Sequence, residues 1–200
     1  MIRRLIAKGE VDSLTGLALE AEVSQPRASQ IGGELEALGL LHRTRGSWRP
    51  EREELLDRFL REYPGPGGSE VTFYSLDAPL QVANRVHRRD TSTAISGDVA
   101  ADLLTPWRSP TMLVIYTQAP IGLDRTPGVV KAHSRGDANI LHRVPTDYSV
   151  FLSDRRRDEM PDFEVPIADP VQVLWDLEDL GGDDRLEAAD KLRRWLLTSR

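Results

Sequence analysis

Apolar residues recur every three or four positions through the first part of the chain, a spacing that predicts amphipathic helices. The predicted helices cover residues 2–8, 13–21, 24–38 and 50–63. In the third helix, the stripe expected to face the core consists of Ala28, Ile31, Leu35 and Leu38. Ser24 is its predicted N-cap, because a serine hydroxyl can accept from a free backbone N–H of the first turn. Gly39 is expected to end this helix in a left-handed conformation.

A short basic hairpin is predicted directly after the third helix. Residues 41–49 combine apolar positions with arginines, and Gly46 provides the turn. Helix, tight turn, capped helix and hairpin together form the outline of a winged helix-turn-helix, with the hairpin as the wing.

A Pro/Gly-rich segment at residues 63–69 divides the chain. It contains two prolines and three glycines, which neither continue a helix nor fill a strand. We therefore expect a winged helix-turn-helix domain at 1–62, a linker at 63–69 and a second domain at 70–200.

The second domain alternates between strand and helix patterns, which predicts a mixed α/β domain and an α+β class for the whole protein. Asp169-Pro170 predicts a helix start by side-chain capping followed by proline. The predicted strands are 71–76, 111–116, 129–132, 140–144 and 148–152. The predicted helices are 80–86, 97–104, 170–180 and one that begins at Asp183 or Asp184.

The charge balance is uneven along the chain. The 200 residues carry 26 Lys+Arg and 32 Asp+Glu, a net charge of −6. Residues 1–50 have seven basic and six acidic residues, whereas the predicted wing at 41–49 carries three arginines and no acid. Contact with double-stranded DNA is therefore expected only through a local patch on the first domain.

The helix that follows the tight turn of such a motif enters the major groove. Arginine can pair with guanine, glutamine with adenine, and an alanine methyl can meet thymine. Wing arginines suit phosphates or the minor groove. The candidate DNA-binding residues are Ser24, Gln25, Arg27, Ala28, Gln30, Arg43, Arg45 and Arg49.

Gly32-Gly33 lies inside this helix, where each glycine costs about 1 kcal/mol relative to alanine. Close approach of another helix, close approach of DNA, or a less rigid helix would each account for the pair.

Composition excludes several kinds of site. The chain has no cysteine, and its four histidines form no ligand spacing, so we expect no metal and no cofactor. No catalytic motif is complete, and we expect a protein that is not an enzyme. The apolar runs are too short for a signal peptide or a membrane span, which favours a cytoplasmic protein without membrane contact.

The second domain resembles the antitoxin domain of the AbiEi family. The likeness lies in 93–101, the strand 113–116 after Arg108-Ser109-Pro110, and the run 165–177 continued by Gly181-Gly182 and 188–192. Ser96 stands where a threonine is more usual in that family.

The resemblance implies a type IV antitoxin. Such a protein represses its own operon at inverted repeats through the winged helix, and its second domain opposes a nucleotidyltransferase toxin. Two alternatives stay open: a one-component winged-helix repressor whose second domain senses a small ligand, and an enzyme that acts on nucleic acid.

Residues 162–190 hold ten acidic residues and one arginine. This stretch is either a solvated face or a surface for a basic partner.

Overall fold

A computed structural model describes residues 1–152 and 165–198. The chain is of the α+β class and divides into two compact units. The N-terminal unit comprises Met1–Pro64 with Arg194–Arg200, and the second unit comprises Gly65–Arg193. No helix in the described ranges is both long enough and apolar enough to span a membrane.

Four helices and one hairpin build the N-terminal unit. Ser13 caps the second helix by accepting from the Gly16 N–H at 3.0 Å. The hairpin strands are antiparallel, with Arg43 opposite Trp48. The elements are α1 (Ile2–Lys8), α2 (Leu14–Glu20), α3 (Gln25–Ala37), β1 (Leu41–Arg43), β2 (Trp48–Pro50) and α4 (Arg52–Glu62).

The C-terminal end of α3 has two-bond Schellman geometry. Gly39 is left-handed at φ 69°, its N–H donates to the Glu36 carbonyl, and the Leu40 N–H donates to the Leu35 carbonyl. Because the helix ends at Ala37, Leu38 is the C-cap, and its side chain is 52% exposed. The prediction that Leu38 faces the core is therefore wrong, since the chain reverses there and Leu40 takes the buried position.

Arg52 joins two helix ends in the N-terminal unit. It donates to the Ile6 carbonyl at 2.7 Å, at the end of α1, and to the Leu197 carbonyl at 2.9 Å. Carbonyls in the last turn of a helix have no partner within it, so the half-buried Arg52 guanidinium satisfies them and complements the helix dipole.

A five-stranded mixed sheet forms the centre of the second unit, in the order β4-β5-β7-β3-β6. Only β5 and β7 are parallel. The strands are β3 (Ser69–Ser75), β4 (Ala94–Ser96), β5 (Leu113–Tyr116), β6 (Val129–Lys131) and β7 (Ile140–Val144). The helices are α5 (Pro79–Arg89), α6 (Gly97–Leu104), α7 (Pro170–Leu180) and α8 (Asp183–Thr198), the last of which ends among the residues grouped with the N-terminal unit.

One predicted strand is a helical turn. Residues 148–152 alternate like a strand, but Tyr148–Phe151 forms a 3-10 helix. The Asp147 carboxylate accepts from the Ser149 N–H at 3.0 Å and its hydroxyl at 2.6 Å, which closes a turn where extension was expected. The first three residues of the acidic 162–190 stretch lie outside the described residues.

Candidate nucleic-acid interface

The outer face of α3 presents most of the predicted base-reading residues. Gln25, Arg27 and Gln30 are exposed, and so is Ser24 at the N-cap. Ser24 is the N-cap of α3, as predicted, but its hydroxyl does not accept the capping hydrogen bond that the sequence suggested. That hydroxyl therefore remains available at the start of the helix.

Ala28 does not belong to this face. It is fully buried on the inner stripe of α3, together with Gly32 and Leu35. The prediction that its methyl meets a thymine is corrected for this reason: a side chain that packs into the core cannot also reach a base edge.

The hairpin carries its three arginines on the surface. Gly46 has a φ of 96°, which suits glycine, and the Thr44 N–H donates to the Ser47 carbonyl at 2.9 Å across the turn. Arg43, Arg45 and Arg49 are all exposed. The turn predicted at Gly46 is confirmed.

The three hairpin arginines have different surroundings. The Arg43 guanidinium lies 5.6 Å from the centre of the Trp48 ring, a cation–π distance. Arg49 lies 3.4 Å from the Glu10 carboxylate. Within residues 1–152 and 165–198, Arg45 has no ion pair and is the arginine closest to the hairpin turn.

Glu10 restrains the hairpin from the loop that follows α1. It accepts from the Ser47 hydroxyl at 2.5 Å, and this hydrogen bond, with the charge of Arg49, lowers the pKa of the Glu10 carboxyl. The neighbouring Val11 exchanges two backbone hydrogen bonds with Trp48, at 2.8 and 3.0 Å. The hairpin is thus attached to the helical part of the unit by backbone and side chain together.

The two glycines of α3 have different environments. An alanine at Gly32 would place its Cβ 2.5 Å from Leu14 Cδ1 of α2, whereas a Cβ at Gly33 would meet nothing within 4 Å. Close approach of α2 therefore explains Gly32. Nothing in the structure explains Gly33.

In the second unit, a polar network centred on buried Arg143 and Asp176 was not predicted from the sequence. Glu70, Arg143 and Tyr116 are cross-strand neighbours on β3, β7 and β5. Arg143 donates to Asp176 at 2.6 Å, to Asp179 at 2.6 Å and to Glu70 at 2.8 Å. The Tyr116 hydroxyl donates to Asp176 at 2.8 Å.

Asp176 is fully buried, and its further donors are Ser96 and Gln172, the latter at 3.1 Å. Burial opposes the charge of Arg143, but Asp176 and Tyr116 outweigh it and raise the pKa of the guanidinium above its ordinary value. The signal in the sequence was Gln172 and Asp176, four apart in an otherwise apolar run.

Three of the five cations that could form a second basic surface in the second unit are engaged by neighbouring side chains. Arg85, Arg88, Arg89, Lys131 and Arg143 are the cations that could form one. Arg143 is buried, Arg85 pairs with Asp77 at 2.5 Å, and Arg89 donates to the Thr126 hydroxyl at 2.7 Å. The hairpin and α3 therefore remain the better candidate interface.

The second unit contains a cavity of about 150 Å³. Asp98 forms part of its wall, where it pairs with Arg185 at 2.8 Å and accepts from the Met112 N–H at 3.0 Å. Apolar lining comes from Ala101, Trp107 and Ala188. In the part of the chain that the structure describes, no group of three or more acidic or histidine side chains is placed to hold a metal ion.

In comparisons with known proteins, no family model, curated protein or solved structure matches this chain.

Proposed function

We propose that the N-terminal unit is a winged helix-turn-helix that binds double-stranded DNA. The observation that carries the proposal is the placement of exposed Gln25, Arg27 and Gln30 on the outer face of α3, in the same unit as a hairpin with three exposed arginines. The inner face of the same helix is apolar and buried, so only the polar face is available to a ligand.

In this proposal α3 enters the major groove with its N-terminal end toward the bases. Ser24 and Gln25 stand at that end, followed by Arg27. The hairpin arginines neutralise phosphates or enter the minor groove, with Arg45 at the turn itself. Arg49 is paired with the Glu10 carboxylate. It therefore contributes less positive potential than Arg45 does.

We further propose, on the likeness to the AbiEi family, that the protein represses its own operon and counteracts a nucleotidyltransferase toxin. The segments that carry the likeness come together in the second unit. Asp98, one residue after Gly97, accepts from the Thr111 hydroxyl at 2.9 Å, just after Arg108-Ser109-Pro110, and Gly181-Gly182 lines the same cavity. Co-expression with a nucleotidyltransferase encoded beside this gene should restore growth that the toxin alone arrests.

A one-component repressor with a ligand-sensing second unit is the alternative, and the cavity beside Asp98 favours it. Its wall combines apolar side chains with charged ones, and charged groups in a pocket can fix the orientation of a small ligand. Under this alternative, a metabolite would change DNA affinity without any partner protein.

DNA binding is tested by titrating the protein with duplexes from its own upstream region at increasing salt. Counterion release predicts a steep negative slope of log K against log salt. Arg45→Ala should weaken binding to all sequences alike and reduce the slope by about 1, whereas Arg27→Ala should lose discrimination at the base pair that Arg27 contacts.

Arg125→Ala is the matched control, because it removes an exposed arginine of the second unit. It should leave both slope and discrimination unchanged. If Arg27→Ala and Arg45→Ala also bind as the unaltered protein does, the proposed interface is wrong.

A further inference from the structure

Three exposed side chains of α3 form a continuous hydrogen-bonded row. Arg27, Gln30 and Glu34 are spaced three and four residues apart, which places them on one stripe of the helix. Arg27 Nη1 donates to Gln30 Oε1 at 3.0 Å, and Gln30 Nε2 donates to Glu34 Oε1 at 2.9 Å. The row lies on the side of α3 that the core does not use.

The order of donors and acceptors fixes the orientation of the Gln30 amide. An ionised carboxylate only accepts, so Glu34 must face the amide nitrogen. The carbonyl oxygen then faces Arg27, whose guanidinium only donates. Without Glu34 the amide is free to turn its nitrogen toward Arg27, and the contact would be lost.

The row leaves hydrogen-bonding groups of both side chains free for a base. The Gln30 carbonyl and amide nitrogen have one partner each, so they keep one lone pair and one N–H. Arg27 uses one donor of five on Gln30 and keeps enough donors for the O6 and N7 acceptors of guanine.

Glu34 itself stands away from the base-reading end. It lies seven residues after Arg27, or about 10 Å along the helix axis. Arg27 is the only cation in α3, so guanine recognition by this helix depends on that one side chain.

We infer that Glu34 is a positioning residue that holds Arg27 through Gln30, so that α3 recognises a guanine with Arg27. This inference rests on the proposed DNA binding.

The experiment starts with selection of binding sites from a pool of random duplexes by the full chain. The base pair read by Arg27 is the position at which Arg27→Ala loses discrimination. The Kd is then measured for the selected duplex and for a duplex in which that base pair is replaced. The ratio of the two Kd values reports discrimination at this position. The variants are Gln30→Ala, Glu34→Ala, Glu34→Gln and, as matched control, Glu36→Ala, which removes an exposed carboxylate from the same helix.

We expect a guanine at that position and a loss of discrimination of about tenfold or more in Arg27→Ala. Glu34→Ala should reduce the ratio about threefold, the effect of one lost hydrogen bond, and Gln30→Ala at least as much. Glu34→Gln should restore the ratio, because its amide oxygen still accepts from Gln30. Glu36→Ala changes overall affinity to the same extent as Glu34→Ala but leaves the ratio unchanged.

Two results overturn the inference while DNA binding stands. One is an equal ratio in Glu34→Ala and Glu36→Ala, and the other is an adenine preference at that position that Gln30→Ala abolishes. If the unaltered protein enriches no sequence from the pool, the proposed function itself fails, and the inference falls with it. Circular dichroism of each variant verifies that the helices are intact.

Discussion

Arginine is exposed in the hairpin of the N-terminal unit and buried in the sheet of the second unit. Arg45 stands in solvent without an ion pair in the described residues, whereas Arg143 is 6% exposed and donates to three carboxylates. A solvated arginine contributes little to stability and is free to bind a phosphate. A buried arginine must be fully paired, because each unpaired buried charge is costly. The same residue type is thus solvated in one unit and paired with three carboxylates in the other.

The largest effect on stability is expected when the buried cation, Arg143, is removed. Arg143→Met leaves Asp176 buried without its positive partner, and we expect a loss of about 3–5 kcal/mol in the free energy of unfolding. Chemical denaturation measures it. Arg45→Met should change stability by less than about 0.5 kcal/mol.

A second variant separates the charge from the packing. Adding Asp176→Leu to Arg143→Met should recover part of the loss, since neither buried charge then lacks a partner. A loss below about 1 kcal/mol in Arg143→Met alone would show that the network is not needed for folding.

A smaller effect is expected from His142, which is buried on β7. Thr117 donates its hydroxyl proton to the Ala119 carbonyl at 2.7 Å, so it must accept from His142 Nε2, also at 2.7 Å. Burial, opposed in part by Asp90, lowers the pKa of the imidazole from 6.5 to about 4. The folded protein therefore excludes a proton that the unfolded chain binds.

Stability should consequently fall as the pH drops from 6.5 to about 4, by up to about 3 kcal/mol from this group. Denaturation at several pH values measures the loss. His142→Gln, whose amide can still donate to Thr117, should flatten the pH dependence in this window. Exposed His133→Gln is the control, and equal pH dependence in the two variants would contradict the assignment.

The smallest effect separates the two adjacent glycines of α3. Gly33→Ala should raise stability by up to about 1 kcal/mol, because alanine favours the helix and the site is open. At Gly32 the new methyl group must displace Leu14, so the gain should be cancelled or reversed. Equal free energies of unfolding for the two variants would show that α2 does not restrict this position.

Much of the secondary structure could be predicted, because its signals act over a few residues. Asp169 caps α7 by accepting from the Val171 N–H at 3.0 Å, as the Asp-Pro pair indicates. The end of α3 at Gly39 follows equally local rules. The segment 148–152 was assigned wrongly because its alternation and the Asp147 turn are both local signals, and the turn prevailed.

The candidate site was predicted only in outline. The periodic stripe of apolar residues shows that α3 has an inner and an outer face. Ala28 was nevertheless predicted both in the core and among the DNA-binding residues, and its burial assigns it to the core. The hydrogen bonds of Arg27, Gln30 and Glu34 depend on side-chain rotamers that the spacing permits but does not select.

By itself, the sequence determined local features such as the Asp169 cap of α7 and the left-handed Gly39 after α3, since capping, proline and glycine act on neighbouring backbone groups. Tertiary structure alone decided which charges are buried. Buried Arg143 and Asp176 come from distant parts of the chain. They meet each other, and the exposed Glu70, only when β3 and β7 pair and α7 packs on the sheet. The tertiary structure also accounts for Gly32, because Leu14 of the neighbouring helix lies where a Cβ at this position would be. Both results depend on contacts between elements far apart in sequence, which local periodicity does not encode.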